Sequence, residues 1–168
     1  MYKAMKVLAI IALLVTIAGA GLVLYAINTM TPEIEVVNVT VTPAAQAQEI
    51  FDAALLQVRE GTFTGRLYGE TEGLDAQECT FVTYGVRLNN KGFFPAEWIS
   101  LVIQPGQNES GYDVLQLDNS GGNVLAARSR GDIAATVLVA GDANNTQRNF
   151  DIACYILGRQ TRIAGMTP

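Results

Sequence analysis

Residues 7–27, VLAIIALLVTIAGAGLVLYAI, decide how the rest of the chain must be read. They run for twenty-one residues without a charge. At about 1.5 Å of rise per residue, such a helix crosses a hydrocarbon layer of roughly 30 Å. The stretch reads as a transmembrane anchor. Lys3 and Lys6 precede it, and Glu33 and Glu35 are the first charges beyond it. The positive-inside bias then makes residues 1–6 a cytoplasmic tail, 28–33 a tether and 34–168 an extracytoplasmic domain of a single-pass cell-membrane protein. The rival reading is a cleaved signal peptide, because Ala18-Gly19-Ala20 has the small-x-small form of a cleavage site. Against it, the apolar run continues through GLVLYAI, where a mature secreted chain normally turns polar.

Beyond the anchor about 140 residues remain, enough for one domain with a core and hardly for two. From Asn28 onward there are nine Lys or Arg against sixteen Asp or Glu. That balance argues against a nucleic-acid partner and against electrostatic attraction to an anionic membrane surface. Histidine is absent, which removes histidine zinc sites, histidine general bases and Ser-His-Asp or Cys-His catalysis. Cys79 and Cys154 are the two cysteines. In an oxidising compartment they are expected to form a disulfide closing a long loop, worth a few kcal/mol. The alternative is two buried free thiols acting as small hydrophobes.

Outward from the anchor, residues 34–42, IEVVNVTVT, are β-branched and alternate, predicting a first strand. Thr42 before Pro43 has the form of a helix cap. Ala44, Ala47, Ile50, Phe51, Ala54, Leu55 and Val58 then recur at helical spacing until Gly61, predicting one amphipathic helix over about 44–60. The remainder is punctuated like strands: 62–68, 79–88, 96–103, 112–117, 123–127, 133–139, and a last one from 150 to about 157 that continues toward 163. In CTFVTYGVRL, 79–88, Val82, Tyr84, Val86 and Leu88 share one face while Cys79 and Phe81 take the other. That conflict predicts a bulge near Phe81 or two partly buried faces. NNKG at 89–92 predicts a turn with Gly92 at positive φ, and DNSGG predicts a hairpin joining 112–117 to 123–127. The fold class expected is mainly β: an antiparallel sandwich of seven or eight strands with one added helix.

The order Cys79, Trp98, Cys154 resembles that of immunoglobulin domains, although Ile152 stands where that family's corner tyrosine would be. VTYGVRLNNKG, then FPAEWISLVI, then RGDIAATVLV is similar to the Ig-like CARDB modules of bacterial surface proteins over residues 79–160. The resemblance implies adhesion, spacing or assembly at a cell surface; the helix at 44–60 departs from it.

Phe93 and Phe94, joined by Trp98, form the candidate partner-binding patch, because adjacent phenylalanines in a turn cannot both face one strand's core. The alternative is that they plug the end of the sandwich. Glu70, Glu72, Asp75 and Glu78 offer oxygens of the kind calcium takes, as do Asp142, Asn144 and Asn145, but neither group has the pattern of a dedicated calcium loop. Both read more simply as solvated loops. Arg130-Gly131-Asp132 spells a receptor-read tripeptide that equally opens a strand, and residues 38–40, 108–110 and 144–146 fit the glycosylation acceptor pattern. No cofactor is expected and no catalytic constellation is visible. The sequence therefore points to a non-enzymatic, membrane-tethered binding or assembly module with a protein partner at the cell surface. The alternatives are a structural subunit whose anchor packs in a larger membrane complex and, more distantly, a calcium-dependent enzyme or carbohydrate binder.

Overall fold

A computed structural model of the chain describes residues 2–29, 31–107, 111–118, 124–143 and 147–167, with side-chain detail from residue 5 onward except at 26–29 and 36. The predicted acceptor triplets at 108–110 and 144–146, and the centre of the predicted 118–122 hairpin, lie outside the described residues.

The first element, α1 (Tyr2–Thr29), contains a 21-residue run, Met5–Tyr25, long and apolar enough to cross a membrane. None of that run is buried, so its apolar surface is left for lipid or for other helices. Three residues separate α1 from β1 (Glu33–Pro43), and the last of them, Pro32, is already buried.

The chain then makes a 3₁₀ turn, Ala44–Ala47, and a helix, α2 (Gln48–Glu60), followed by β2 (Arg66–Leu67), β3 (Cys79–Asn90), β4 (Glu97–Ile103), β5 (Gly111–Gln116), β6 (Ser129–Gly141), β7 (Asn149–Ile156) and β8 (Arg159–Met166). Thr42 does not cap the helix: it is still paired with Phe81 in β1, and Pro43 precedes the 3₁₀ turn without a side-chain cap. The other end follows expectation. Gly61 is left-handed at φ 70°, its N–H donates to Val58 O, and Thr62 N–H donates to Gln57 O. This is the paired closure that satisfies the last helical carbonyls.

Two antiparallel sheets result, five strands in the order β1-β3-β6-β5-β2 and three in the order β4-β7-β8. With α1 and α2 the chain is mixed α/β and sandwich-like. The predicted hairpin of 112–117 with 123–127 does not form: β5 pairs with β6, while Leu125 makes a single bridge to Ala96. The NNKG turn also shifts. Asn89 and Asn90 complete β3, and the following residues cross to the other sheet. Gly92 is not among the positive-φ glycines; instead buried Asn90 donates to Phe94 O and Ala126 O and accepts from Gly92 N–H.

Both faces of β3 are buried, which resolves its conflicting pattern without a bulge, since pairing with β1 and β6 runs unbroken through Phe81. Val82, Tyr84, Val86 and Leu88 point between the sheets, with Ile99, Leu101, Val137, Ile152 and Cys154. Cys79 and Phe81 point the other way, into a second core with Leu115, Leu138 and Phe51 of α2. The expected disulfide is therefore wrong. Cys79 and Cys154 are both buried and free, one outside the five-stranded sheet under α2 and the other between the sheets, so the sheet itself separates them. Burial raises both thiol pKa values, and Glu78 and Asp75 add to the effect at Cys79. Such thiols are poor nucleophiles.

Candidate functional site

Strand polarity gathers several features at one end of the sandwich. Glu33, where the chain enters the domain, pairs with Asn89 at the end of β3, and Asn90 pairs with Ser129 at the start of β6. The 91–96 and 124–128 segments interlock beside them through Arg128 N–H to Gly92 O and the Ala96–Leu125 bridge. β4 starts here with Glu97 opposite Tyr155, and the β7–β8 turn returns the chain here, with Ile156 opposite Arg159. We call this the entry end.

The three aromatic residues singled out from sequence all lie at this end, in different settings. Phe93 is 57 % exposed, with the Arg128 guanidinium 4.3 Å from its ring centroid, a cation–π contact. Phe94 is half-buried against the inter-sheet core. Trp98 is 68 % exposed and lines a shallow recess of about 440 Å³ with Glu97, Tyr155 and Gly158. The recess brings Trp98 together with Tyr155, not with Phe93. It also removes the immunoglobulin arrangement suggested by the order Cys79, Trp98, Cys154, in which a buried tryptophan packs on a disulfide.

The backbone here is unusual. Three non-glycine residues among those described have positive φ: Trp98 (52°), Arg128 (54°) and Leu157 (50°), all at the entry end. Trp98 occupies a β-bulge, since Trp98 and Ile99 together face one residue between the Glu97–Tyr155 and Ser100–Ala153 pairs. That conformation normally selects glycine. Leu157 and Gly158 form the two-residue β7–β8 turn with both φ values positive, a geometry that favours Asn-Gly. Bulky residues at such positions cost of order 1–2 kcal/mol each and concentrate at functional sites.

Sequence reasoning missed Tyr155 and Leu157. Tyr155 was legible, because Phe150, Ile152, Cys154 and Ile156 share the inner face and alternation turns Tyr155 outward. Leu157 was not, because Leu-Gly carries no turn signature and the last strand read straight through it.

The opposite end is held by polar locks. Buried Asp113 in β5 accepts from Arg148 Nε and Nη2 at 2.9 and 3.0 Å and from Gly106 N–H at 2.7 Å. Gln116 donates to Leu101 O and accepts from Ile103 N–H, fastening β5 to the free side of β4. The acidic loop lies nearby, with Glu72, Asp75 and Glu78 on the rim of an open recess of about 820 Å³. Asp75 is spent locally, accepting from Gln77 N–H. Among the described residues no group of three or more His, Cys, Asp or Glu could hold a metal ion, and no nucleophile–base or redox constellation is assembled. Arg130-Gly131-Asp132 is not displayed on a loop: it lies within β6, with Arg130 on Glu35 and Asp132 on Arg87. The hydrogen bond to Arg87 is the main reason the Asp132 pKa falls.

No protein-family model matches the chain, and no curated protein matches it. Two solved yeast structures are similar to it. The GAE domain of yeast GGA1, in "yeast GGA1_GAE domain-P21", is 18 % identical, covers 61 % of this chain and 85 % of its own, and gives a TM-score of 0.38. The GAE domain of GGA2p from Saccharomyces cerevisiae is 9 % identical, covers 61 % and 81 %, and gives 0.37.

Proposed function

We propose that this protein is a non-enzymatic binding or assembly module held on a membrane by α1, with residues 1–6 cytoplasmic, 28–33 as tether and 34–168 outside. The observation that carries the reading is an apolar run, Met5–Tyr25, none of it buried, on a helix joined by three residues to a domain whose described side chains build an aromatic end rather than a catalytic cleft. Phe93 and Trp98 are the exposed aromatic side chains of that end, and Phe94 is half-buried against the inter-sheet core. A protein partner in the same membrane or at the cell surface is the expected client of the module. A structural-subunit role, with α1 packed against other helices, is the second reading, favoured by the exposure of its whole Met5–Tyr25 run.

In-cell crosslinking followed by mass spectrometry separates the two, comparing the full chain with a variant whose residues 7–27 are replaced by an unrelated span. A specific protein partner kept in the replaced-span variant supports a domain-borne module, whereas its loss moves the function into the membrane. Turnover by the purified full chain, with no partner recovered, would defeat both.

A further inference from the structure

The entry end differs from the rest of the domain in three independent ways. First, it is where the chain arrives from α1. Between Thr29 and Glu33 lie three residues, so the two can be no more than about 14 Å apart. The polar layer of a bilayer is itself roughly 5–7 Å deep on each side. The domain therefore begins within or just above the head groups. Second, Phe93, Trp98, Val124, Tyr155 and Leu157 are exposed there, and two of them stand at the strained positions described above. Among the described residues of the rest of the domain, exposed apolar side chains such as Ile50, Leu56 and Leu67 include no aromatic as open as Phe93 or Trp98. Third, charge is unequally divided. Lys91, Arg128, Arg130 and Arg159 face Glu33, Glu35 and Glu97 at this end, leaving the rest of the domain with five cationic and thirteen acidic residues. The overall acidity that argued against a membrane contact is thus carried elsewhere.

Resting on the anchored reading, we propose that the entry end is a lipid-docking surface: Phe93, Trp98 and Leu157 insert into the head-group and upper acyl region of the bilayer that α1 spans. Tryptophan, tyrosine and phenylalanine are suited to that layer because an apolar ring is buried while any polar edge stays wet. Arg128, stacked on the Phe93 ring, is the cation placed to meet phosphate, Lys91 and Arg130 being ion-paired with Glu33 and Glu35, and the acidic remainder is turned away from an anionic surface. Docking fixes the orientation of the domain on its short tether and leaves the sheet faces and the far end for proteins.

Trp98 is the one tryptophan of the chain, so its fluorescence reports this surface without labelling. The full-length protein is reconstituted into phosphatidylcholine–phosphatidylglycerol vesicles, with and without bromine on the acyl chains near the ester. Brominated lipid is expected to reduce Trp98 emission about twofold or more, because a docked indole sits at the head-group level beside the bromine. The reduction should persist when a 20-residue Gly-Ser stretch is inserted at residue 30, and disappear when Phe93→Ser and Leu157→Ser are added to that variant. If the insertion alone abolishes quenching, Trp98 was near lipid only through its tether and the docking surface is refuted. If the protein floats with vesicles and resists alkaline extraction, yet Trp98 is unquenched by bromolipid and open to aqueous iodide, the inference fails while the anchor stands. If the protein is extracted from the vesicles, the anchored reading fails and the inference goes with it. A photocrosslinker at position 93 that captures a protein in cells, and no lipid, also overturns it.

Discussion

The Asp113 carboxylate and the Arg148 guanidinium form a two-pronged ion pair, 2.9 and 3.0 Å long, with side-chain exposures of 0 % and 6 %. It joins β5 of the five-stranded sheet to the residue that leads into β7 of the three-stranded one. Arg148 also lies over Gly106, where a Cβ would come within 2.4 Å of Nε. The pair is therefore built into a fixed seam, and the hydrogen bonding that Arg148 donates to Asp113 is the main cause of the raised Arg148 pKa.

Removing one partner leaves the other charge buried. Arg148→Ala is expected to destabilise the domain by about 3–5 kcal/mol, whereas Asp113→Leu with Arg148→Met should recover most of that loss. Urea unfolding of the detergent-solubilised full chain, followed by near-ultraviolet circular dichroism, measures both. A loss below about 1 kcal/mol for the single variant, the range of exposed pairs, would show that the seam contributes little.

Tyr84 lies beside this seam, and its pKa is pushed up to about 12, chiefly by burial; Arg148 lowers it and Asp113 raises it. Below pH 10 the phenol is neutral in both states, so its contribution is fully present. Above that the unfolded chain loses its proton first, and stability falls through pH 12 by roughly 2–3 kcal/mol. The urea midpoint of the native protein should therefore drop more steeply between pH 10 and 12 than that of Tyr84→Phe. Equal slopes would contradict it.

The two thiols give a direct chemical test of the corrected core. Without reductant, iodoacetamide should leave both sulfurs unlabelled in the folded protein at pH 8 and add two carbamidomethyl groups after unfolding in urea, because each thiol is buried and disfavoured as thiolate. An unfolded chain that accepts no label would restore the bond.

Most of the architecture was legible because it rests on short-range signals. The span at 7–27, the helix closed by Gly61 and the strands around Val82, Val137 and Ile152 all follow from periodicity and punctuation. The failures are cases where a long-range choice decides. Two cysteines in apolar strands look alike in sequence, yet alternation in β3 sends Cys79 under α2 while Cys154 faces the other sheet. Asn90 looks like a turn residue, but it serves as a buried cross-link between segments about thirty-five residues apart. At the candidate surface Phe93 and Trp98 were found by composition. Their grouping with Tyr155 and Leu157 depended on which strand ends share the entry end.

Leu157 offers the sharpest test of whether that end is selected for something other than stability. The side chain is 50 % exposed and the residue is held at φ 50°, immediately before Gly158 at φ 74°. An Asn-Gly pair suits this turn far better than Leu-Gly, because asparagine tolerates the left-handed region and leucine does not. Leu157→Asn is therefore expected to stabilise the domain by about 0.5–1 kcal/mol, since the backbone penalty falls and little burial is lost. The same substitution removes an apolar side chain from the proposed lipid contact, so quenching of Trp98 by brominated lipid should decrease as the unfolding midpoint rises. Stability and membrane contact moving in opposite directions is the signature of a surface residue kept for contact. If Leu157→Asn lowers the midpoint instead, the leucine is packed for stability and its positive φ carries no functional meaning.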